Sequence, residues 1–154
     1  MTNRITKAKR LTTFLMVAAS VLVAQLPYPA AAEEAGVLAV NSKANVQSLT
    51  ALELRNVVSG QKRTWQNGLP IMLVLPPAGS PELQWLCSQL KMPEATYMRY
   101  IKEKMYRGQM QFVTVANANE AKAMLGSMAG GIGPLPNQQV TEPLVQVAIA
   151  AGTH

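Results

Sequence analysis

The sequence predicts an α/β fold with a mostly parallel sheet and helices on both of its faces. Two observations carry this prediction. Strand-like and helix-like segments alternate between residues 36 and 151, which is the order that builds a layered α/β domain. In addition, residues 69–76, "LPIMLVLP", are apolar without polar alternation, as is typical of a parallel strand whose two faces are both covered.

The first elements have recognisable boundaries. Segment 36–42 is an apolar run of strand length. Thr50 and Glu53 have the spacing of a capping box, which predicts the start of a helix. Gly60 is a typical helix end. An Asn-Gly turn signal at 67–68 then precedes the apolar strand.

Two helices are predicted after that strand. Ser80 is a suitable N-cap, Pro81 suits the first helical position, and Glu82 complements the positive end of the helix. Apolar residues at helical spacing continue this helix to position 90. A second helix is predicted over 94–107.

The last third of the chain predicts one more helix between two strands. Segment 110–116 has the pattern of a strand. Asn117 and Glu120 mark the start of a helix. We interpret "AGGIGPLP", residues 129–136, as a glycine-rich exit from that helix, and we predict a final strand over 143–151.

Residues 1–32 have the layout of a secretory signal peptide. Four basic residues lie between positions 4 and 10, an uncharged apolar stretch follows, and "PYPAAA" supplies small residues before Glu33. A permanent membrane anchor is the alternative, but the apolar stretch is shorter than the roughly 17–25 residues of a spanning helix. We therefore expect a periplasmic protein with one domain, residues 33–154, and no stable membrane insertion after cleavage.

The charge of the mature chain argues against a nucleic-acid partner. The whole sequence has 14 Lys and Arg and eight Asp and Glu. Residues 1–32 contain four of the basic residues and none of the acidic ones, so the mature net charge is only +2, whereas nucleic-acid-binding domains are strongly basic. Arg99, Lys102, Lys104 and Arg107 fall in one predicted helix, where solvated charge is favoured over contact with an acidic partner.

Residues for catalysis or metal binding are scarce. Cys87 is the only cysteine and lies on a predicted apolar helix face, His154 is the only histidine, and aspartate is absent. Catalytic Ser-His-Asp or Cys-His arrangements and a zinc site therefore lack their usual groups. We expect a protein that is not an enzyme and that uses no metal and no cofactor. The seven methionines after residue 32 are expected to fill the core.

Residues 48–71, "SLTALELRNVVSGQKRTWQNGLPI", resemble a segment of the phosphate-binding components of ABC transporters and of short secreted proteins related to them. The matching positions here are Ser48, Leu49, Thr50, Leu54, Arg55, Gly60, Trp65 and Gly68. Later matches are Gly79 and Ser80 at a helix entry, Trp85, Leu90, Tyr100 and "AGGIG" at 129–133. The resemblance implies a periplasmic-binding-protein-like fold, and the mature chain has room for a single lobe.

The resemblance also implies a site for a small oxyanion such as phosphate at the helix entry. Its residues are Gly79 and Ser80, which would donate backbone N–H groups and a hydroxyl, Glu82 in the first turn, and Arg55 as a counter-charge. Pro81 departs from the family pattern and removes one donor, while Glu82 places a negative charge beside the anion. A chain without aspartate also lacks the family's acceptor for the proton of hydrogen phosphate.

Two functions from different classes follow. The first is a non-catalytic phosphate-binding-protein-like domain that holds an oxyanion at the helix entry. The second is a non-catalytic interaction module that has lost its ligand and docks on an envelope protein through the surface that a second lobe would have covered. Capping alone explains Ser80, yet the resemblance runs through the site, which favours the first function.

Overall fold

The computed structural model describes residues 36–150, and the predicted signal peptide lies outside that range. The described strands are β1 (Val37–Asn41), β2 (Ser48–Thr50), β3 (Met72–Leu75), β4 (Phe112–Thr114), β5 (Gly131–Leu135) and β6 (Leu144–Ala150). The described α-helices are α1 (Ala51–Val58), α2 (Pro81–Leu90), α3 (Glu94–Tyr106) and α4 (Ala118–Ser127).

All of these strands form one sheet in the order β2-β6-β1-β5-β3-β4. The pairs β3–β4, β3–β5 and β2–β6 are parallel. β1 runs antiparallel to both of its neighbours, β5 and β6. Every described strand except β1 therefore points the same way, which confirms the predicted mostly parallel sheet.

Helices cover both faces of the sheet, as predicted. Leu38 and Leu73 point to the face on which α1, α2 and α3 pack. Their chain neighbours Ala39 and Val74 point to the other face, which α4 covers. This alternation is the period of two that a strand imposes on its side chains. Because both faces are buried, β3 has the continuous apolar sequence from which a parallel strand was predicted.

The predicted helix starts are confirmed by their hydrogen bonds. The N–H of Glu53 donates to Thr50 Oγ1 at 3.1 Å, and the N–H of Thr50 donates to Glu53 Oε2 at 2.9 Å. These two bonds make the capping box of α1. At α4, the N–H of Glu120 donates to Asn117 Oδ1 at 2.9 Å.

Segment 129–136 corrects the sequence interpretation, because it contains the central strand β5 and is not merely an exit from a helix. Its glycines allow close backbone packing. A Cβ atom at Gly133 would lie 2.3 Å from the carbonyl oxygen of Val74, and one at Gly130 would lie 1.8 Å from the carbonyl oxygen of Pro70. Glycine inside a strand often marks such an approach of two backbones. The short strand β2 was also not predicted.

Two buried polar side chains join distant parts of the chain. Asn41, at the end of β1, donates from Nδ2 to the carbonyl oxygens of Leu125 and Gly126, both at 3.0 Å. Trp65 is only 3 % exposed, and its Nε1 donates to the carbonyl of Gly130 at 3.1 Å. Each bond satisfies a polar group that would be costly to bury alone. They fix the end of α4 to β1 and the segment before β3 to the start of β5.

Candidate functional site

The predicted strand-to-helix turn joins β3 to α2. Residues 76–83, which include the first residues of α2, are called the helix-entry turn below. Gly79 has a φ of +80°, a conformation that glycine adopts without strain. Ser80 is the N-cap of α2, and its Oγ accepts a hydrogen bond from the N–H of Leu83 at 3.2 Å. Pro81 is the first helical residue. The prediction of a capped helix start is therefore confirmed.

Most backbone N–H groups of the helix-entry turn already have an acceptor. An oxyanion at a helix N-terminus needs N–H groups that no other atom uses. The N–H of Ser80 donates to the carbonyl of Pro77 at 3.1 Å, and Pro81 has no N–H. The Leu83 N–H is bonded to Ser80 Oγ. Among the described residues, the N–H groups of Ala78 and Glu82 have no hydrogen-bond partner.

One further donor of the turn, the N–H of Gly79, is bonded to a carboxylate of the chain itself. The N–H of Gly79 donates to Glu94 Oε1 at 2.7 Å. Glu94 is the first residue of α3, which follows α2 after a connection of only three residues, 91–93. A bond between a backbone N–H and an ionised carboxylate is charge-assisted. The Gly79 N–H, which the resemblance assigns to a ligand, is therefore bonded to Glu94.

Arg55 stands apart from the other predicted site residues. It lies on the last turn of α1, and its side chain is exposed. No hydrogen bond or ion pair joins Arg55 to the helix-entry turn within residues 36–150. Gly79, Ser80 and Glu82 are together because they are neighbours in the chain.

Glu94 was missed by the sequence interpretation because no pattern links two residues that are 15 positions apart on different elements.

The buried titratable side chains of the core are not poised for chemistry. Cys87 is 3 % exposed, and burial, with a smaller contribution from the charge of Glu94, raises the pKa of its thiol to about 11. Tyr97 is 1 % exposed, and burial raises the pKa of its hydroxyl far above the ordinary value. Its hydroxyl donates to the carbonyl of Val58 at 3.4 Å. A reactive cysteine needs a lowered pKa and access to solvent, and Cys87 has neither.

Residues 36–150 contain neither a metal-binding cluster nor a membrane-spanning helix. That range contains no cluster of three or more His, Cys, Asp or Glu side chains able to hold a metal ion. No helix in it is both long and apolar enough to cross a membrane.

Met98, Met124 and Met128 pack against the core, as expected. Met105, one of the seven methionines expected in the core, is 39 % exposed.

The fold has counterparts among solved structures. No protein-family model and no curated protein sequence matches this chain. An ABC-type phosphate transport receptor from Vibrio cholerae is similar with a TM-score of 0.55 and 15 % identity, over 73 % of this chain and 44 % of the receptor. A putative phosphate ABC transporter substrate-binding protein from Clostridium perfringens, solved with bound phosphate, is similar with a TM-score of 0.56 and 15 % identity, over 75 % of this chain and 46 % of that protein.

These likenesses concern the fold. At 15 % identity, they support a distant structural relation and carry no ligand with them. The chain spans less than half the length of either solved protein. The six-stranded sheet with helices on both faces is therefore a single-lobe α/β architecture of the periplasmic-binding-protein type.

Proposed function

We propose that this chain is a non-catalytic, periplasmic domain of the substrate-binding-protein type that docks on an envelope protein and holds no phosphate at its helix-entry turn. The observation that carries the proposal is the hydrogen bond of 2.7 Å between the Gly79 N–H and Glu94 Oε1. Through this bond the Glu94 carboxylate occupies a donor that a bound phosphate would otherwise use. Pro81 and Glu82 act in the same direction, because the first lacks a donor and the second adds a negative charge.

Charge magnitudes support this choice. A phosphate that entered the turn would first have to displace Glu94 from Gly79. An exposed helix end attracts an anion by about 0.3–1 kcal/mol. Repulsion from one carboxylate at about 4 Å costs about 1 kcal/mol for each ligand charge even at the dielectric constant of water. A carboxylate of Glu82 or of the displaced Glu94 that stayed within about 4 Å of the anion would therefore offset the attraction of the helix end.

The single-lobe architecture supports a docking surface for a partner. Both solved neighbours are more than twice as long as the part of them that this chain matches. We infer that the partner covers the surface that a second lobe would have covered, with the helix-entry turn at its centre. Ala78, at the tip of that turn, is exposed. The hydrogen bond from Gly79 to Glu94 restrains the turn, and such restraint reduces the entropy lost when a partner binds.

An oxyanion-binding function is the second candidate. It is favoured by the names of the two solved neighbours, both of which refer to phosphate transport, and by the bound phosphate of one. In this case Glu94 would swing away, and the N–H groups of Gly79 and Glu82 would hold the anion with the Ser80 hydroxyl. Arg55 would supply the counter-charge from α1.

Calorimetry on the purified protein without residues 1–32 distinguishes the two functions. Phosphate and sulfate are titrated at low salt to about 10 mM, which reaches dissociation constants in the millimolar range. We expect no saturable heat from the wild type. Saturable heat that Ser80→Ala abolishes would overturn the proposal in favour of oxyanion binding. Thr50→Ala is the matched control, because it removes an N-cap from a different helix.

The docking function has a direct test in cells. A photo-crosslinking amino acid is placed at Ala78, in the helix-entry turn, or at Gln66, which is exposed in the segment before β3. We expect one discrete adduct from position 78 and none from position 66. Adducts of equal yield at both positions, or none at position 78, would contradict docking through the helix-entry turn.

A further inference from the structure

A cavity of about 250 Å³ lies at the edge of the sheet opposite the helix-entry turn. It is bounded by the end of α1 and by segments 62–64, 70–73 and 108–111. Segment 70–73 leads into β3, and segment 108–111 leads into β4, its parallel neighbour. The cavity therefore lies at the amino ends of these strands, whereas the helix-entry turn follows the carboxyl end of β3.

The inner wall of this cavity is apolar. Val57, Ile71, Leu73 and Met110 line it, and each is at most 8 % exposed. Gly60 allows the opposite wall to come close, since a Cβ atom there would lie 3.1 Å from both the carbonyl oxygen of Gln109 and the Cβ of Met110. A ligand in this cavity would therefore be enclosed by apolar atoms over its inner part.

The mouth of the cavity is positively charged. Lys62 and Arg63 line it, and none of the lining residues is acidic. Lys62 is shared with other groups: its Nζ lies 5.8 Å from the centre of the Trp65 ring, and its charge contributes to lowering the pKa of Glu53. Arg63 forms no ion pair in the part of the chain that the structure describes. Arg63 is therefore the cation with the fewest competing contacts.

A third cation, Lys104, is bonded to a residue that lines the cavity. Lys104 Nζ donates to Gln109 Oε1 at 3.2 Å, and Gln109 lines the cavity. This bond holds the side-chain amide of Gln109 with its oxygen directed toward Lys104. The Lys104 ammonium also adds positive charge next to Gln109.

We propose that this cavity binds a small carboxylate that has an apolar body. The carboxylate contacts Arg63 and Lys62 at the mouth, and the body packs against Val57, Ile71 and Met110. An inorganic anion lacks the apolar part that the inner wall would cover. The volume is below the ~300–1,000 Å³ of pockets for drug-sized ligands, so the ligand is small. This inference does not depend on the function proposed for the helix-entry turn.

Benzoate is a suitable probe, since it combines a carboxylate with a compact apolar ring. Its titration is followed by the amide shifts of uniformly ¹⁵N-labelled protein, up to about 10 mM to reach millimolar affinity. We expect saturable shifts at 60–64 and 108–111, and none at the helix-entry turn. Benzamide, which has the same shape without the charge, and inorganic phosphate, which has no apolar body, should both bind more weakly at these residues.

Variants test the role of the charge. Arg63→Gln should weaken benzoate binding about fivefold, the upper range for a partly solvated ion pair. Arg99→Gln, which removes an exposed arginine from α3, is the matched control and should leave the affinity unchanged. Equal shifts with benzamide and benzoate, equal losses in the two variants, or no shift at 60–64 and 108–111 would overturn the proposal. Shifts at the helix-entry turn alone would overturn this proposal and would also contradict the function proposed for that turn.

Discussion

Replacing Gly133 by alanine tests the close packing of β5 against β3. A Cβ atom at this position would lie 2.3 Å from the carbonyl oxygen of Val74 and 3.2 Å from its carbonyl carbon. Both obstructing atoms belong to the backbone of a central strand, so no side chain can rotate to make room. The two strands would have to separate by about 1 Å to restore an ordinary contact.

The expected cost of this substitution is large. Overpacking a core costs about 1–3 kcal/mol, and occasionally more. Because the clash is with backbone, we expect Gly133→Ala to lose about 3 kcal/mol or more. For a domain of this size one kcal/mol corresponds to a change of about 4 °C in Tm. The melting temperature of Gly133→Ala should therefore fall by about 12 °C or more.

Thermal unfolding followed by far-ultraviolet circular dichroism measures this change. Gly126→Ala is the matched control, because a Cβ atom there would meet only Pro143, at 3.7 Å. Gly126 lies in α4, where alanine is favoured over glycine by up to about 1 kcal/mol. We expect that variant to be as stable as the wild type or slightly more so. If Gly133→Ala melted within about 2 °C of the wild type, the close approach of β5 to β3 would be refuted.

Three further predictions concern stability and reactivity. Asn41→Ala should lose about 2–3 kcal/mol in urea unfolding, because it leaves two carbonyls at the end of α4 without their donor; a loss below about 0.5 kcal/mol would contradict this role. Hydrogen bonds from Thr50 lower the pKa of Glu53 from its ordinary value of 4.5. The wild type should therefore exceed Glu53→Gln in stability above that value, and the difference should vanish as the pH falls through the lowered pKa; a pH-independent difference would exclude the capping box as its source. Cys87, with its pKa raised to about 11, should react with a maleimide at pH 8 only as fast as the protein unfolds, and rapid labelling of the native protein would show that it is accessible.

Local signals predicted much of this fold. The capping residues Thr50, Ser80 and Asn117 marked three of the helix starts, because the hydrogen bonds that they form involve residues only three positions away. The apolar run before Pro76 predicted β3 and its parallel pairing. In each case the information needed lay within one segment of the chain.

β5 was missed because its residues are compatible both with a turn and with a strand. Gly131, Gly133 and Pro134 are typical of turns, and proline is rare in a central strand. Here Gly133 is needed because a Cβ atom at this position would meet the backbone of Val74 in β3. The pairing of β5 with β3 extends only to Ile132, so Pro134 lies beyond the part of β5 that is bonded to that strand. Only the position of another element could distinguish a turn from such a strand.

The candidate site shows the same limit. The turn itself, its glycine and its N-cap were predicted from consecutive residues. The partner of the Gly79 N–H was not predicted, because Glu94 belongs to α3. The position of its carboxylate depends on how α3 packs beside α2. The charge environment of the turn, which decides between a bound anion and an internal carboxylate, is therefore a property of the tertiary structure.

The central claim is that Glu94 takes the position of a ligand at the helix-entry turn, and the backbone amide of Gly79 reports on it directly. The measurement is the ¹H–¹⁵N shift of Gly79 during a titration with phosphate to about 10 mM at low salt, with chloride as the control. We predict that phosphate and chloride leave the Gly79 amide equally unchanged, and that Glu94→Gln alone moves it. A saturable shift of the Gly79 amide with phosphate, absent with chloride, would contradict the claim.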